Sequence, residues 1–181
     1  MNYLLQLPRW NALHPLVIHF PIVLLLIAPL FVVASFFLSK EKKRFALVTA
    51  LLLMAAGTCG TYLAQATGEA AQEIAQKTPQ IRAVLEHHEE SAETTIIVFS
   101  VLSGVFAVMV LAPIFLRREP SPILHRMLSL VFLMSYVAGT MVLVNTAHGG
   151  GRLVHELGIH ASAPVSPQTA NAAGPNDVDP D

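Results

Sequence analysis

The chain has 181 residues, 54% of them hydrophobic and only 13% charged, with a mean hydropathy of +0.57. That balance is too apolar for an ordinary soluble domain of this length. The net charge of −1 points to no partner by itself and nothing in the chain suggests nucleic acid. No phosphate loop or nucleophile–base constellation points to a stand-alone enzyme.

Residues 1–13 are short and mildly amphipathic, with Trp10 where an interfacial aromatic anchor would sit. Apolar segments at about 15–38, 45–66, 94–116 and 123–146 each have the ~20 residues needed to cross a bilayer. The first lacks a basic n-region and a small-x-small cleavage site, so it is expected to stay in the protein rather than act as a signal peptide. Pro15 suits its first turn, and Pro21 is expected to kink it and open space beside His19.

The loop after it carries Lys40, Lys42, Lys43 and Arg44. The second span holds the single Cys59, expected as a small packing residue; one cysteine allows no internal disulfide and no CxxCH attachment of a c-type heme. The longest polar connection, 67–93, reads as a helical extension, a break at Lys77–Thr78–Pro79 and a helix running into the third span. Arg117, Arg118 and Arg126 lie between the last two spans. The pairs Ala56/Gly60, Ser100/Gly104 and Ser135/Gly139 have the four-residue spacing that lets membrane helices approach closely. Gly149–Gly150–Gly151 is expected to break the chain after the fourth span and fold the following LVHELG over the bundle mouth. The tail 161–181, rich in Pro, Ala, Asn and Asp without apolar periodicity, reads as disordered.

Seven basic residues thus lie on one side of the membrane, while Glu69, Glu73, Glu86, Glu89, Glu90 and Glu93 lie on the other. The positive-inside rule makes the basic side cytoplasmic and places both termini outside, in the periplasm of a two-membrane bacterium. The expected architecture is all-α: an integral four-helix bundle over 1–160, short extracytoplasmic helices and the disordered tail.

Seven of the eight histidines fall on the acidic side: His14, His19, His87, His88, His148, His155 and His160. Only His125 is at the basic end, where it reads as interfacial. An unpartnered imidazole is costly a turn into a span, which makes His19 a candidate ligand. His14 stands at the helix start and reads first as a cap or water-facing group, then as a ligand. His87 and His88 point about 100° apart, and His88 is preferred as the one facing the bundle. His148 and His155 are candidates at the far end of the fourth span.

Several neutral imidazoles in a half-dry bundle suit bis-histidine heme b, one or two per chain, in an apolar slot between helices. Arg152, Arg82 or Arg9 could meet the propionates. The rival is a Cu, Zn or Fe site using the same His19, His88, His148 and His155, with glutamates nearby. No HxxxH, HxH or ExxH pair supports it, and Met54, Met109, Met134 and Met141 are scattered away from the histidines. A third reading is a membrane anchor that binds nothing. The heme reading predicts a Soret band lost in His19→Ala.

The segments LHPLVIHFPIVLL (13–25) and AHGGGRLVHELG (147–158) resemble a family of small bacterial four-helix membrane domains of unassigned function. That family has an H-P-x-x-x-H-F-P-I opening and a closing H-x-G-G-x-L-x-H-like motif, and some members are linked to c-type cytochromes. The resemblance covers roughly 13–158 and implies a redox setting for His14, His19, His88, His148 and His155. Many relatives carry a closing histidine where Leu157 stands here, with His155 as its substitute. The expected function is a b-type cytochrome relaying electrons between the quinone pool and an extracytoplasmic c-type cytochrome or dehydrogenase subunit, as part of a larger complex. The cluster Glu86, Glu89, Glu90 and Glu93 reads first as a solvated helix end, then as a surface for a basic partner or a proton path at a quinone site.

Overall fold

The computed structural model describes residue 10 and residues 13–72, 78–118 and 120–158. Arg9, Glu73, Lys77, His160 and the expected tail 161–181 lie outside them. The elements are α1 (His14–Val17), α2 (His19–Ala34), α3 (Lys40–Gln72), α4 (Pro79–Leu116) and α5 (Pro122–His155), with a 3₁₀ turn at Ser35–Phe37 after α2. There is no strand among the described residues.

α1 and α2 form one span, broken at Ile18. The sequence places the disturbance at Pro21. It appears three residues earlier because Pro21 has no N–H to give the carbonyl of Val17, the last residue of α1. The four spans are long and apolar enough to cross a membrane, so the chain is an integral membrane protein. α3, α4 and α5 outgrow the spans read from hydropathy. Their 33, 38 and 34 residues measure about 50–57 Å against a hydrocarbon core of ~30 Å. The extension of α3 past residue 66 and the restart of α4 agree with the sequence reading, the latter with Thr78 as N-cap and Pro79 in the first turn.

The triple glycine corrects an expectation. α5 runs unbroken through Gly149, Gly150 and Gly151 to His155. Bare backbone there is used for close packing on α4, and the packing outweighs the poor helix propensity of glycine.

The helices form a ring. α2 packs on α3, α3 on α4, α4 on α5, and α5 returns to α2, so α2 and α4 are diagonal. The core joins Leu25, Ala28 and Val32 of α2, Leu47, Ala50 and Met54 of α3, Phe99, Leu102 and Phe106 of α4, and Phe132, Tyr136 and Leu143 of α5. α2 reaches α3 over small residues: a Cβ on Gly57 would meet Leu25 at 2.8 Å, and one on Gly60 would meet Pro21 at 3.1 Å. Gly139 does the same for α5 and α4, 2.9 Å from Leu102. The second members of the expected pairs, Gly60 and Gly139, are therefore contact sites. Ala56 and Ser135 face outward, and Gly104 meets nothing within 4 Å. Cys59 is exposed on the bundle exterior rather than packed. Hydroxyls join α3 and α4 through Thr58–Ser103 (2.8 Å) and Tyr62–Ser100 (2.9 Å), and α4 and α5 through Thr95–Thr146 (2.8 Å). Such bonds replace water within the membrane.

Candidate functional site: a histidine layer at one end of the bundle

Gly68 on α3, His88 on α4 and Gly150 on α5 each lie 28 residues from the basic-loop end of their own helix. At 1.5 Å per residue all three stand about 42 Å up the bundle, near the edge of the hydrocarbon. His14, at the start of the first span, packs on Gly68 at this level; a Cβ on Gly68 would meet the imidazole at 3.1 Å.

His14 is half-buried rather than water-facing, which corrects the reading of it as a helix-start cap. Its Nδ1 is 2.9 Å from the Ala64 carbonyl and 3.2 Å from the Thr67 hydroxyl, and Thr67 is fully buried. A carbonyl only accepts, so in the neutral ring Nδ1 carries the hydrogen and Nε2 holds the lone pair. This is the arrangement in which an outer partner orients a ligating histidine.

Of the adjacent pair on α4, His88 turns inward and His87 is exposed. The His88 ring lies on bare backbone of α5. A Cβ on Gly149 would come to 3.4 Å from it, and one on Gly150 to 3.1 Å. Its Nδ1 is buried with no hydrogen-bond partner. One turn deeper, the hydroxyls of Thr95 and Thr146 lie 2.8 Å apart and each lies 2.9 Å from the Ser91 carbonyl. His14 and His88 lie on diagonal spans at the same level of the bundle, each turned against glycine backbone of a neighbouring helix. The layer therefore seats two half-buried imidazoles at one level of the bundle.

The remaining candidates do not join this pair. His19, His148 and His155 are exposed. The Nδ1 of His19 donates to the Pro15 carbonyl at 2.6 Å, which leaves its Nε2 bare and outward. Arg152 is exposed and forms an i,i+4 ion pair with Glu156, Nε to Oε2 3.0 Å; Arg82 is exposed near Glu86. No group of three or more His, Cys, Asp or Glu side chains is assembled to hold a metal ion among the described residues. The structural partners of His14, namely Ala64, Thr67 and Gly68, went unread in the sequence. Their signal is the run of small residues at 57, 60, 61, 64, 67 and 68, which lies along one face of α3.

Fold and site together define an integral membrane four-helix bundle that carries an inward-facing histidine pair at one end. The chain belongs to the family described as "Predicted membrane protein (DUF2231)", whose model matches residues 11–163 and so spans the whole bundle and every histidine. Neither the curated proteins nor the solved structures give a match.

Proposed function

We propose that this chain is a membrane b-type heme domain that relays electrons between a quinone pool and an extracytoplasmic redox partner, as a subunit of a larger complex. The observation that carries the reading is the His14–His88 pair: two half-buried imidazoles on diagonal helices, each seated against glycine backbone of a neighbouring helix. The donor set fits a heme, which His14 and His88 would hold. His14 presents Nε2 because Nδ1 is tied to Ala64, and His88 has a buried ring nitrogen with no protein partner. A bound heme would supply one-electron chemistry. The chain's own part is to position both imidazoles, fix the ring of His14 and keep bulk water from the layer. The absence of an assembled group of three or more ligands among the described residues favours this reading over a Cu, Zn or Fe ion site.

The positive-inside rule supports a bacterial plasma membrane with the basic loops cytoplasmic and the histidine layer at the outer leaflet. There a c-type cytochrome or a dehydrogenase subunit could approach. The test is a dithionite-reduced minus oxidised spectrum of the purified protein, with a pyridine hemochrome assay on the same sample. A b-type α-band with a stoichiometric heme is the expected result. A featureless spectrum from protein made with ample heme overturns the reading.

A further inference from the structure

The exposed histidines are also ordered. On α2, the residues against α3 are Phe20, Pro21, Leu24 and Leu25; at 100° per residue His19 stands on the opposite side of the helix. On α5, the residues against α4 include Gly139, Gly149 and Gly150, and His148 stands opposite them by the same count. α3 and α4 form one side of the ring and α2 and α5 the other. Both imidazoles therefore look out of the α2/α5 face. His19 lies five residues below the His14 level and His148 two below the Gly150 level, a height difference of about 5 Å. Neighbouring helix axes are about 8–10 Å apart.

Between and below them the face is apolar. Leu16 of α1 and Val23, Leu26 and Leu30 of α2 are exposed, and an open groove of about 610 Å³ on α5 is lined by Val137, Met141 and Val144, with Asn145 and His148 at its upper end. An imidazole bare at Nε2, in an apolar surface near the hydrocarbon edge, lacks a proton donor that lipid tails cannot offer.

From this we infer that the α2/α5 face binds a membrane hydroquinone, with His19 and His148 as hydrogen-bond partners of its two ring oxygens. The chemistry selects this class. The site needs a flat apolar ring that lives in the bilayer and donates hydrogen bonds at two opposite edges, and a hydrogen-bonded hydroquinone spans two side chains on adjacent helices. His19, with Nδ1 committed to Pro15, can only accept through Nε2 while neutral, which favours the reduced, hydroxyl-bearing form over the oxidised one. The groove on α5 takes the ring and the start of an isoprenoid tail. The location also serves the relay on whose reading the inference rests. His148 is followed by Gly149, whose other side carries His88, so one helix thickness, about 10 Å, separates the face from the inner pair.

The test is isothermal titration of decylubiquinol, and separately decylubiquinone, into nanodiscs with and without the protein. Expected is saturable binding of the quinol at one per chain above empty discs, tighter than the quinone. His19→Leu and His148→Leu should each weaken it by about tenfold, whereas Cys59→Ser on another exposed surface leaves it unchanged. Labelling with a photoreactive quinone should map to α2 and α5. Absence of binding above empty discs, labelling elsewhere, or unchanged affinity in both variants overturns the inference. Protein that binds the quinol yet has no heme spectrum would preserve the site and overturn the relay.

Discussion

The hydroxyl of Tyr136 donates to the carbonyl of Leu25 at 2.6 Å, deep in the bundle. Leu25 is the residue whose helical partner would be the N–H of position 29, and Pro29 has none. α5 thus supplies from across the bundle the hydrogen bond that α2 cannot make within itself, at the seam that closes the ring. In a membrane no water would replace it.

Tyr136→Phe should therefore destabilise the bundle by about 1–2 kcal/mol, the cost of an orphaned buried acceptor. In Pro29→Ala the backbone N–H returns to Leu25, so the added cost of Tyr136→Phe should fall towards zero. A double-mutant cycle on unfolding in detergent reads this directly. Equal losses in both backgrounds would refute the coupling.

The three glycines of α5 should respond differently to the same change. Gly150→Val drives side-chain atoms into the His88 ring, already at 3.1 Å from a single Cβ, and should abolish a heme spectrum by displacing the imidazole. Gly151 meets nothing within 4 Å, so Gly151→Ala should leave the spectrum intact and stabilise the helix by about 0.5–1 kcal/mol. Absorbance and thermal melts on the same two proteins separate the effects.

Histidine replacements should sort by facing rather than by depth. His14→Ala and His88→Ala are expected to lose the Soret band, while His19→Ala, His87→Ala and His155→Ala retain it. Loss of the band in His19→Ala with retention in His14→Ala would show that the outer set, as hydropathy alone suggests, holds the iron.

The helix contacts give a fourth expectation. Gly139→Ala, which places a Cβ 2.9 Å from Leu102 and 3.0 Å from Val98, should cost about 1–3 kcal/mol by overpacking. Gly104→Ala should cost nothing, since Gly104 faces open space. Comparable losses at both would mean that Gly104 is a contact site with another chain.

The spans, their order and the crowding of histidines at one end are legible in the sequence because hydropathy and the 3.6-residue period report on each helix separately. The facing of the histidines is not. His14 and His19 differ by five residues, so they point in different directions, and local chemistry alone prefers the deeper one as the ligand. Which one turns inward depends on the side of α2 that meets the small-residue face of α3, and that is a property of two helices together. The triple glycine misled for a related reason. Read alone it is a breaker, but Gly149 and Gly150 give the His88 ring bare backbone to rest on.

The continuity of α5 across Gly149–Gly151 has a kinetic consequence. Each glycine in a helix interior gives up about 0.8–1.0 kcal/mol relative to alanine, so this stretch forfeits roughly 2–3 kcal/mol of intrinsic order and leans on the imidazole beside it. Amide protons from Gly149 to His155 should exchange with solvent first within α5, long before those around Tyr136. A group that clamps His88 in place should slow them selectively, which makes the closing turns of α5 a reporter of whether the layer is filled.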